Sequence, residues 1–216
     1  MNTGASVTLF HCPNSRSSGT LNLFEELGVP YSLHIMNMKA GEQRKAAYLA
    51  INPMGKVPAI KHGDALVTEQ VAIFIYLADL FAQAGLAPAQ GDPLRGPYLR
   101  WLAYYGSCFE PAVVDRAMKR EPALPSMSPY GDFDTMLGTL ISQLRKGPYM
   151  LGDRFSAADV LWGCGLAWTT SFNLVPAGPE VADYVARWNS RPSVARVKAK
   201  DAELSAQHEK ALAAGT

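Results

Sequence analysis

Residues 11 to 18, HCPNSRSS, place a thiol, a cation and several hydroxyl and amide donors in one short turn. The turn separates an apolar run from a segment with helical spacing. Cys12 could be a reactive thiol there, or a group of donors could stabilise an anion at the helix N-terminus. A third interpretation is that these residues only cap the helix. The candidate donors are Asn14, Ser15, Arg16 and Ser17.

A second stretch, NPMGKVPAI (52–60), places Pro58 at the start of a strand. Proline removes a donor from the strand ladder, so its presence predicts either an edge strand or a cis bond after Val57. A cis bond would leave the backbone of Val57 free to pair with an extended peptide. Both interpretations remain open on the sequence alone.

The third stretch is VTEQVAIFIYL (67–77), in which Glu69 and Gln70 begin a helix directly behind a hairpin. Free N–H groups at a helix N-terminus bind a carboxylate, and Glu69 could hold an ammonium group. Two opposite charges on neighbouring atoms describe an amino-acid head group. The alternative is that Glu69 only interacts favourably with the helix dipole.

The elements that position these stretches follow the order β-α-β-α-β-β-α. Gly28, with Pro30 behind it, is predicted to end the first helix, and Thr68 is predicted to cap the third. Strands are predicted at VTLF (7–10), YSLHI (31–35) and the hairpin VPAIKHGDALV (57–67), with a short helix at 42–50.

A Gly-, Pro- and Ala-rich stretch predicts a linker at 84–96, and strand patterns stop beyond it. We therefore predict an α/β domain at 1–83 and an all-α helical domain at 97–216. Ser156 and Asp159 form a capping-box pattern. The helices are predicted near 94–119, 132–146, 157–171, 180–190 and 193–205.

Composition excludes several function classes. The 216 residues carry a net charge of +1, with cations spread along the chain, so no nucleic-acid partner is expected. No 18-residue apolar run and no signal-peptide pattern occur, which predicts a cytoplasmic protein with no membrane partner. Three widely spaced cysteines indicate a reducing compartment. The four histidines lack metal-ligand spacing, so no metal is expected.

Taken together, the motifs resemble the cytosolic glutathione transferase superfamily over essentially the whole chain, most closely its bacterial theta- and beta-like members. The resemblance implies a thioredoxin-like N-terminal domain with glutathione as co-substrate, and a helical domain carrying the pocket for a small-molecule electrophile. It also implies a homodimer and a role in detoxification. The matching motifs are LFEELGVPY, INPMGKVPAI, TEQVAIFIYLAD, the linker and GDRFSAADV.

The resemblance also implies which residues bind glutathione. Val57 would pair its backbone with the cysteinyl unit, and Glu69 with Gln70 would hold the γ-glutamyl group. Gln70 stands where the family usually has Ser, so an amide replaces a hydroxyl donor. Two further side chains would bind the glycyl carboxylate, although each could be a plain solvated side chain. The full set is Gln43, Lys56, Val57, Pro58, Glu69 and Gln70.

For the thiol, family spacing counted back from Gly28 points to Asn14, and the cysteine of the beta class would fall at Arg16. Cys12 precedes both positions, offset from the helix N-terminus that would lower its pKa. We therefore predict that the cluster from Asn14 to Ser17 stabilises the thiolate, with no single atom assigned.

An electrophile pocket is predicted from an aromatic helix face in the stretch 100–113, together with His11, which stands where some members carry Tyr. The same face is also typical of a buried core. The residues of this predicted pocket are His11, Trp101, Tyr104, Tyr105 and Cys108.

The predicted function is that of a glutathione transferase that attacks an apolar electrophile. One alternative is a glutathione-dependent thiol–disulfide oxidoreductase or peroxidase, because Cys12-Pro13 resembles the motif of one-cysteine glutaredoxins. The other is a non-catalytic binding or assembly protein with the same fold. The sequence does not name the second substrate.

Overall fold

The structure is a computed structural model that describes residues 6–121 and 123–214. Its first seven strands and α-helices follow the predicted order, which confirms the thioredoxin-like α/β arrangement. They are β1 (Val7–His11), α1 (Arg16–Leu27), β2 (Tyr31–Ile35), α2 (Ala46–Leu49), β3 (Ala59–His62), β4 (Ala65–Thr68) and α3 (Gln70–Leu80).

The four strands form one mixed sheet in the order β2-β1-β3-β4. β1 pairs in parallel with β2 and antiparallel with β3, and β3 pairs antiparallel with β4. Val7, Leu9 and Phe10 of β1 are all buried, as a near-continuous apolar run in a central strand requires. The sheet therefore fixes the carboxyl end of β1, where the 11–18 turn begins.

Helix α1 begins after Ser15 and ends at Gly28, as predicted. Gly28 has a φ of 66°, in the left-handed region that favours glycine, and its N–H donates to the Phe24 carbonyl at 3.1 Å. The helix buries Leu21, Phe24 and Leu27. The Ser15 N-cap therefore fixes where α1 begins, a few residues after the end of β1, and Gly28 fixes where it ends.

Two local predictions differ from the structure. The predicted helix at 42–50 is a 3₁₀ turn, Glu42–Arg44, followed by the short helix α2. Thr68 does not cap α3, because it is the last residue of β4 and pairs with Ala59. Glu69 lies between β4 and α3 and has a φ of 63°.

The remaining α-helices are α4 (Arg95–Tyr104), α5 (Glu110–Ala117), α6 (Phe133–Leu144), α7 (Ala157–Ser171), α8 (Pro179–Asn189) and α9 (Pro192–Ala213). A π-helical turn, Tyr105–Phe109, joins α4 to α5. Among the described helices, none is long and apolar enough to cross a membrane. The predicted helical region after the linker is confirmed.

The chain forms two compact units. Unit 1 contains the residues up to Leu77 together with those from Pro192 onward, and unit 2 is Ala78–Arg191. The sequence places the last helix with the helical domain, whereas its contacts place α9 in unit 1. Val194 and Val197 of α9 are buried, and Arg196 Nε donates to Glu25 Oε2 of α1 at 2.6 Å.

Unit 2 is organised around the start of α7, where the predicted capping box is present. The Ser156 N–H donates to Asp159 Oδ2 at 2.9 Å, while Asp159 Oδ1 accepts from the Met150 N–H at 2.6 Å and the Tyr184 hydroxyl at 2.8 Å. Asp159 is buried, so its carboxylate joins α7, α8 and the preceding loop through internal hydrogen bonds alone.

Candidate active site

Ser15 lies at the N-terminus of α1 with a partly exposed side chain. Its hydroxyl oxygen accepts from the Ser17 N–H at 3.2 Å, which makes Ser15 the N-cap. The Ser15 hydroxyl donates to the Cys12 carbonyl at 2.7 Å, as the Ser17 hydroxyl can at 3.1 Å, and the two serine oxygens lie 2.7 Å apart. A hydroxyl donor therefore sits at the positive end of the α1 dipole.

Ser17 faces inward from the turn. Its side chain is fully buried, and its Oγ lies 2.9 Å from His11 Nδ1. The Cys12 N–H also donates to Ser17 Oγ, at 3.1 Å. The burial and these contacts hold Ser17 Oγ among other groups of the turn, and its role as a donor to a bound thiol remains a prediction.

Asp201 of α9 completes the interior of the turn. Its Oδ1 lies 2.9 Å from His11 Nε2, and its Oδ2 accepts from the Asn14 N–H at 3.0 Å and from Ser18 Oγ at 2.5 Å. An ionised carboxylate only accepts hydrogen bonds, so Nε2 of His11 carries a hydrogen. Burial works to raise the pKa of Asp201, but hydrogen bonds from His11, Ser18 and the Asn14 N–H outweigh it and leave that pKa below its usual value.

The other two predicted donors are exposed. Asn14 has a φ of 56°, and its Nδ2 donates to Ser205 Oγ of α9 at 2.8 Å. Arg16 is the first residue of α1, and its carbonyl oxygen accepts from Gln70 Nε2 at 3.1 Å. Asn14 therefore fixes the turn to α9, and Arg16 connects it to the start of α3.

Cys12 is only 8% exposed and packs in a cluster with Phe10, Tyr48 and Val57. Burial raises the pKa of its thiol, and a hydrogen bond from the Met38 backbone offsets this only in part. The thiol therefore stays protonated at neutral pH. This agrees with the predicted position of Cys12 on the strand side of the turn.

The bond between Val57 and Pro58 is cis, as one of the two sequence interpretations predicted. The loop before it is held by the Tyr48 hydroxyl and by Asn52 Nδ2, which donate to the Lys56 carbonyl at 2.6 and 2.9 Å. Within the residues that the structure describes, the Val57 backbone has no hydrogen-bond partner. Its N–H and C=O are thus available to pair with an extended ligand.

Gln70 donates from Nε2 to the Arg16 carbonyl, so Gln70 and the preceding Glu69 lie next to the 11–18 turn. Glu69 is exposed, and its left-handed φ turns the chain abruptly into α3. The Gln70 Oε1 atom is buried and has no partner among the described residues. A buried acceptor without a donor is uncommon in proteins, and a ligand N–H would satisfy it.

Gln43 and the loop that carries Lys56 also come together in unit 1. Gly55 has a φ of 60°, and a Cβ at this position would lie 2.8 Å from the Gln43 carbonyl oxygen, so glycine allows the close approach. Gln43 Oε1 is buried with no partner in the described part of the chain, and the Lys56 side chain is exposed.

Three of the five predicted electrophile residues are buried within their own units. His11 is fully buried in unit 1, and Trp101 and Tyr105 are 2% and 5% exposed. Tyr105 packs at 5.2 Å from Trp162, and a Cβ at Gly165 would lie 2.5 Å from its ring. This burial favours a core role for Trp101 and Tyr105.

Tyr104 and Cys108 are partly exposed, and their role in a pocket remains a prediction. A separate cavity of about 400 Å³ lies between α4 and α6 of unit 2. Its lining includes Arg100, Trp101 and Lys146 and shares only Trp101 with the predicted set. In residues 6–121 and 123–214, no cluster of three or more His, Cys, Asp or Glu side chains is arranged to hold a metal ion.

Sequence reasoning missed Asp201 as part of the site. A signal was present, since Val194, Val197 and Asp201 recur every three or four residues and form the buried stripe of α9. A carboxylate on an apolar helix face requires buried donors. The sequence does not reveal, however, that those donors are about 190 positions away, in the 11–18 turn.

Comparison with known proteins agrees with this geometry. Residues 5–79 match the family model of the glutathione S-transferase N-terminal domain. Glutathione S-transferase GstA of Escherichia coli O157:H7 is 27% identical over 191 residues, covering 87% of this chain and 95% of that protein. The crystal structure of a Sulfitobacter glutathione transferase homologue with bound glutathione has 28% identity and a TM-score of 0.74, covering 91% of this chain and 98% of that one.

Glutathione S-transferase PARB of Nicotiana tabacum is 29% identical over 143 residues, covering 58% of this chain. The match spans 63% of the tobacco protein, a little under two thirds of its length. The fold and the turn define a thioredoxin-like protein with hydroxyl donors at the start of α1. Residues 5–79 match the glutathione S-transferase N-terminal domain, and the longer matches show that the chain is similar to glutathione transferases, as the motifs predicted.

Proposed function

We propose that this protein is a glutathione transferase in which the Ser15 hydroxyl stabilises the glutathione thiolate for attack on an apolar electrophile. The observation that carries the proposal is the partly exposed Ser15 hydroxyl at the N-terminus of α1. The hydrogen bond from Gln70 Nε2 to the Arg16 carbonyl, next to Ser15 in the chain, supports a γ-glutamyl site beside that hydroxyl. The Sulfitobacter homologue holds glutathione, which supports the same ligand here.

Glutathione would extend along unit 1 in three parts. The ammonium of its γ-glutamyl group would donate to the buried Oε1 of Gln70 and face Glu69, and its cysteinyl backbone would pair with Val57. The glycyl carboxylate would meet Gln43 and Lys56. The amide of Gln43 offers donors to that carboxylate when its nitrogen, rather than its oxygen, faces the ligand.

Catalysis would come from ionising the thiol and positioning it. A free cysteine thiol has a pKa of about 8.5, so little thiolate exists at neutral pH. The Ser15 hydroxyl and the positive end of α1 stabilise the anion, and bound glutathione then meets its electrophile at high effective concentration. We further propose that the enzyme works as a cytoplasmic homodimer, as is usual in the family.

The test is the Ser15→Ala variant, with Ser32→Ala, an exposed serine of β2, as the matched control. Removing a donor to a developing anion costs about 100-fold in kcat, whereas glutathione affinity should change little. Turnover of an activated aryl halide, calorimetric glutathione binding and the ultraviolet absorbance of bound thiolate measure the three quantities. Unchanged thiolate absorbance in Ser15→Ala would refute the assignment of Ser15.

A further inference from the structure

Four side chains of unit 1 form a continuous hydrogen-bonded row from the surface to the interior. Ser15 Oγ lies 2.7 Å from Ser17 Oγ, and Ser17 Oγ lies 2.9 Å from His11 Nδ1. His11 Nε2 lies 2.9 Å from Asp201 Oδ1. Ser15 is partly exposed, whereas Ser17 and His11 are fully buried and Asp201 is 4% exposed.

The partners fix the direction of the hydrogen bonds in this row. Since Asp201 accepts from Nε2, the neutral His11 ring presents an unprotonated Nδ1 to Ser17. The Ser17 hydroxyl can donate to Nδ1, at 2.9 Å, or to the Cys12 carbonyl, at 3.1 Å. Its oxygen accepts from the Cys12 N–H, and it can also accept from the Ser15 hydroxyl when that group turns away from the Cys12 carbonyl. When both serine hydroxyls turn from the Cys12 carbonyl into the row, their hydrogens point toward His11.

We propose that His11 receives the proton of the glutathione thiol through the hydroxyl groups of Ser15 and Ser17, and that Asp201 orients the imidazole for this transfer. The inference rests on the proposed function, in which the Ser15 hydroxyl faces the thiol. His11 touches no substrate atom and is a positioning residue that acts through the two serines.

The transfer conserves every proton. The thiol gives its proton to Ser15 Oγ, Ser15 gives its own proton to Ser17 Oγ, and Ser17 gives its proton to His11 Nδ1. One S–H bond is broken and one N–H bond is formed, with no change in oxidation state. Afterwards the Ser15 O–H points outward at the thiolate, so one movement both removes the proton and supplies the donor that stabilises the anion.

After the proton transfer, the positive charge on the buried His11 ring is balanced by the negative charge on Asp201. A buried imidazolium requires a paired anion, and Asp201 supplies it with two other donors already in place. The elements around His11 add neutral groups: β2 places Ile35 opposite it, and α1 places Ser17 and Ser18 nearby. The charged or titratable groups near the turn are Asp201 of α9, the Cys12 thiol, Arg16 at the start of α1, and Lys39 and Glu42, which act on Cys12.

The proposal is tested by nitrogen NMR of the full chain with labelled histidine, using His11→Asn to assign the His11 signals among the four histidines. Glutathione should convert His11 from the singly to the doubly protonated ring. S-methylglutathione, which has no thiol proton, should leave the ring neutral. A neutral His11 in the glutathione complex, while ultraviolet absorbance shows thiolate, would overturn the proposal.

Ser17→Ala interrupts the row but keeps both Ser15 and His11. We expect the thiol pKa of bound glutathione to rise by about one unit, which leaves about tenfold less thiolate near neutral pH. A thiolate titration identical to wild type would refute the relay even if His11→Asn failed to fold.

The two proposals fail differently. If Ser15→Ala removes the thiolate while Ser17→Ala and the His11 signals do not respond, the relay alone is wrong. If Ser15→Ala has no effect on the thiolate, or glutathione does not bind, the proposed function and the relay both fail.

Discussion

Burial decides which group of the 11–18 turn can do chemistry. The Cys12 thiol is the most reactive functional group by type, yet it is buried in an apolar cluster and held protonated by desolvation. The Ser15 hydroxyl is a far weaker acid, but it lies at the helix N-terminus within reach of solvent. In this turn, placement outweighs intrinsic reactivity.

We expect Cys12→Ser to keep transferase activity within about twofold of wild type, because a neutral buried thiol contributes packing but no charge. The reaction rate with an activated aryl halide measures this, and Cys164→Ser, a change in α7 of unit 2, is the matched control. Complete loss of activity in Cys12→Ser, with the fold intact, would instead support the disulfide-exchange alternative.

Gln70 is the residue that departs from the family pattern. Its Nε2 bonds to the Arg16 carbonyl, and its Oε1 awaits a donor. Gln70→Ala removes about one hydrogen bond to glutathione, so the dissociation constant should rise about fivefold. Calorimetry measures the change, with Gln70→Ser as the comparison that restores the family's hydroxyl. Equal affinity in wild type and Gln70→Ala would show that the amide does not contact the ligand.

The residue scale also shows how far sequence reasoning reaches. The cis bond at Pro58 is one of the two interpretations that the sequence leaves open. The turn at Gly28 and the Ser156–Asp159 box follow from local rules and could be predicted. The distinction between Ser15 and Ser17 could not, because both are serines two positions apart at a helix start. The packing of β1 and α9 leaves Ser15 partly exposed and buries Ser17 against His11.

At the element scale, Asp159 is the residue that holds the start of α7. It accepts from two backbone N–H groups and from Tyr184 while buried. Asp159→Asn would point an amide N–H at donors, so we expect the free energy of unfolding to fall by about 2 kcal/mol at pH 7. Ser156→Ala should cost about 1 kcal/mol. Urea unfolding monitored by circular dichroism measures both, and equal stability of Asp159→Asn and wild type would contradict the argument.

The same carboxyl gives a pH dependence of stability. Burial raises the pKa of Asp159 to about 6, above the value of about 3.9 for an unfolded aspartate. The folded state therefore binds this proton more tightly, and the contribution of Asp159 is complete below about pH 4 and lost as the pH rises through about 6. The stability difference between wild type and Asp159→Asn should be about 3 kcal/mol larger near pH 4 than at pH 7.

That difference isolates Asp159, because other carboxyls change the stability of both proteins equally. Unfolding curves at several pH values between these limits measure it. A difference that is constant with pH would show that the pKa of Asp159 is the same in the folded and unfolded states.

Elements could be predicted where the pattern is local. Helix α7 has the predicted bounds because its cap and its apolar spacing agree. The π-helical turn at Tyr105–Phe109 has no such signal, since the continuous apolar spacing of 94–119 is equally typical of one long helix. It follows from the packing of Tyr105 and Phe109 around Trp162, which lies in another helix.

At the scale of the whole molecule, unit 1 is built from two separate segments of the chain, one before and one after unit 2. Since α9 buries Val194 and Val197 and donates from Arg196 to α1, a polypeptide of residues 1–83 alone lacks part of its own core. We expect that polypeptide to remain largely unfolded in circular dichroism. Residues 1–77 joined by a flexible linker to 192–216 should instead fold cooperatively. Cooperative unfolding of 1–83 by itself would contradict the assignment of α9 to unit 1.

The position of Asp201 in α9 also has a consequence for folding during synthesis of the chain. Translation produces β1 and the 11–18 turn first, and α9 after every other described element. On the ribosome, His11 and the Asn14 N–H therefore have no Asp201 carboxylate to bond to until α9 has been made. A nascent chain that has already paired its strands therefore lacks the hydrogen bonds of Asp201 to the 11–18 turn until α9 has been synthesised.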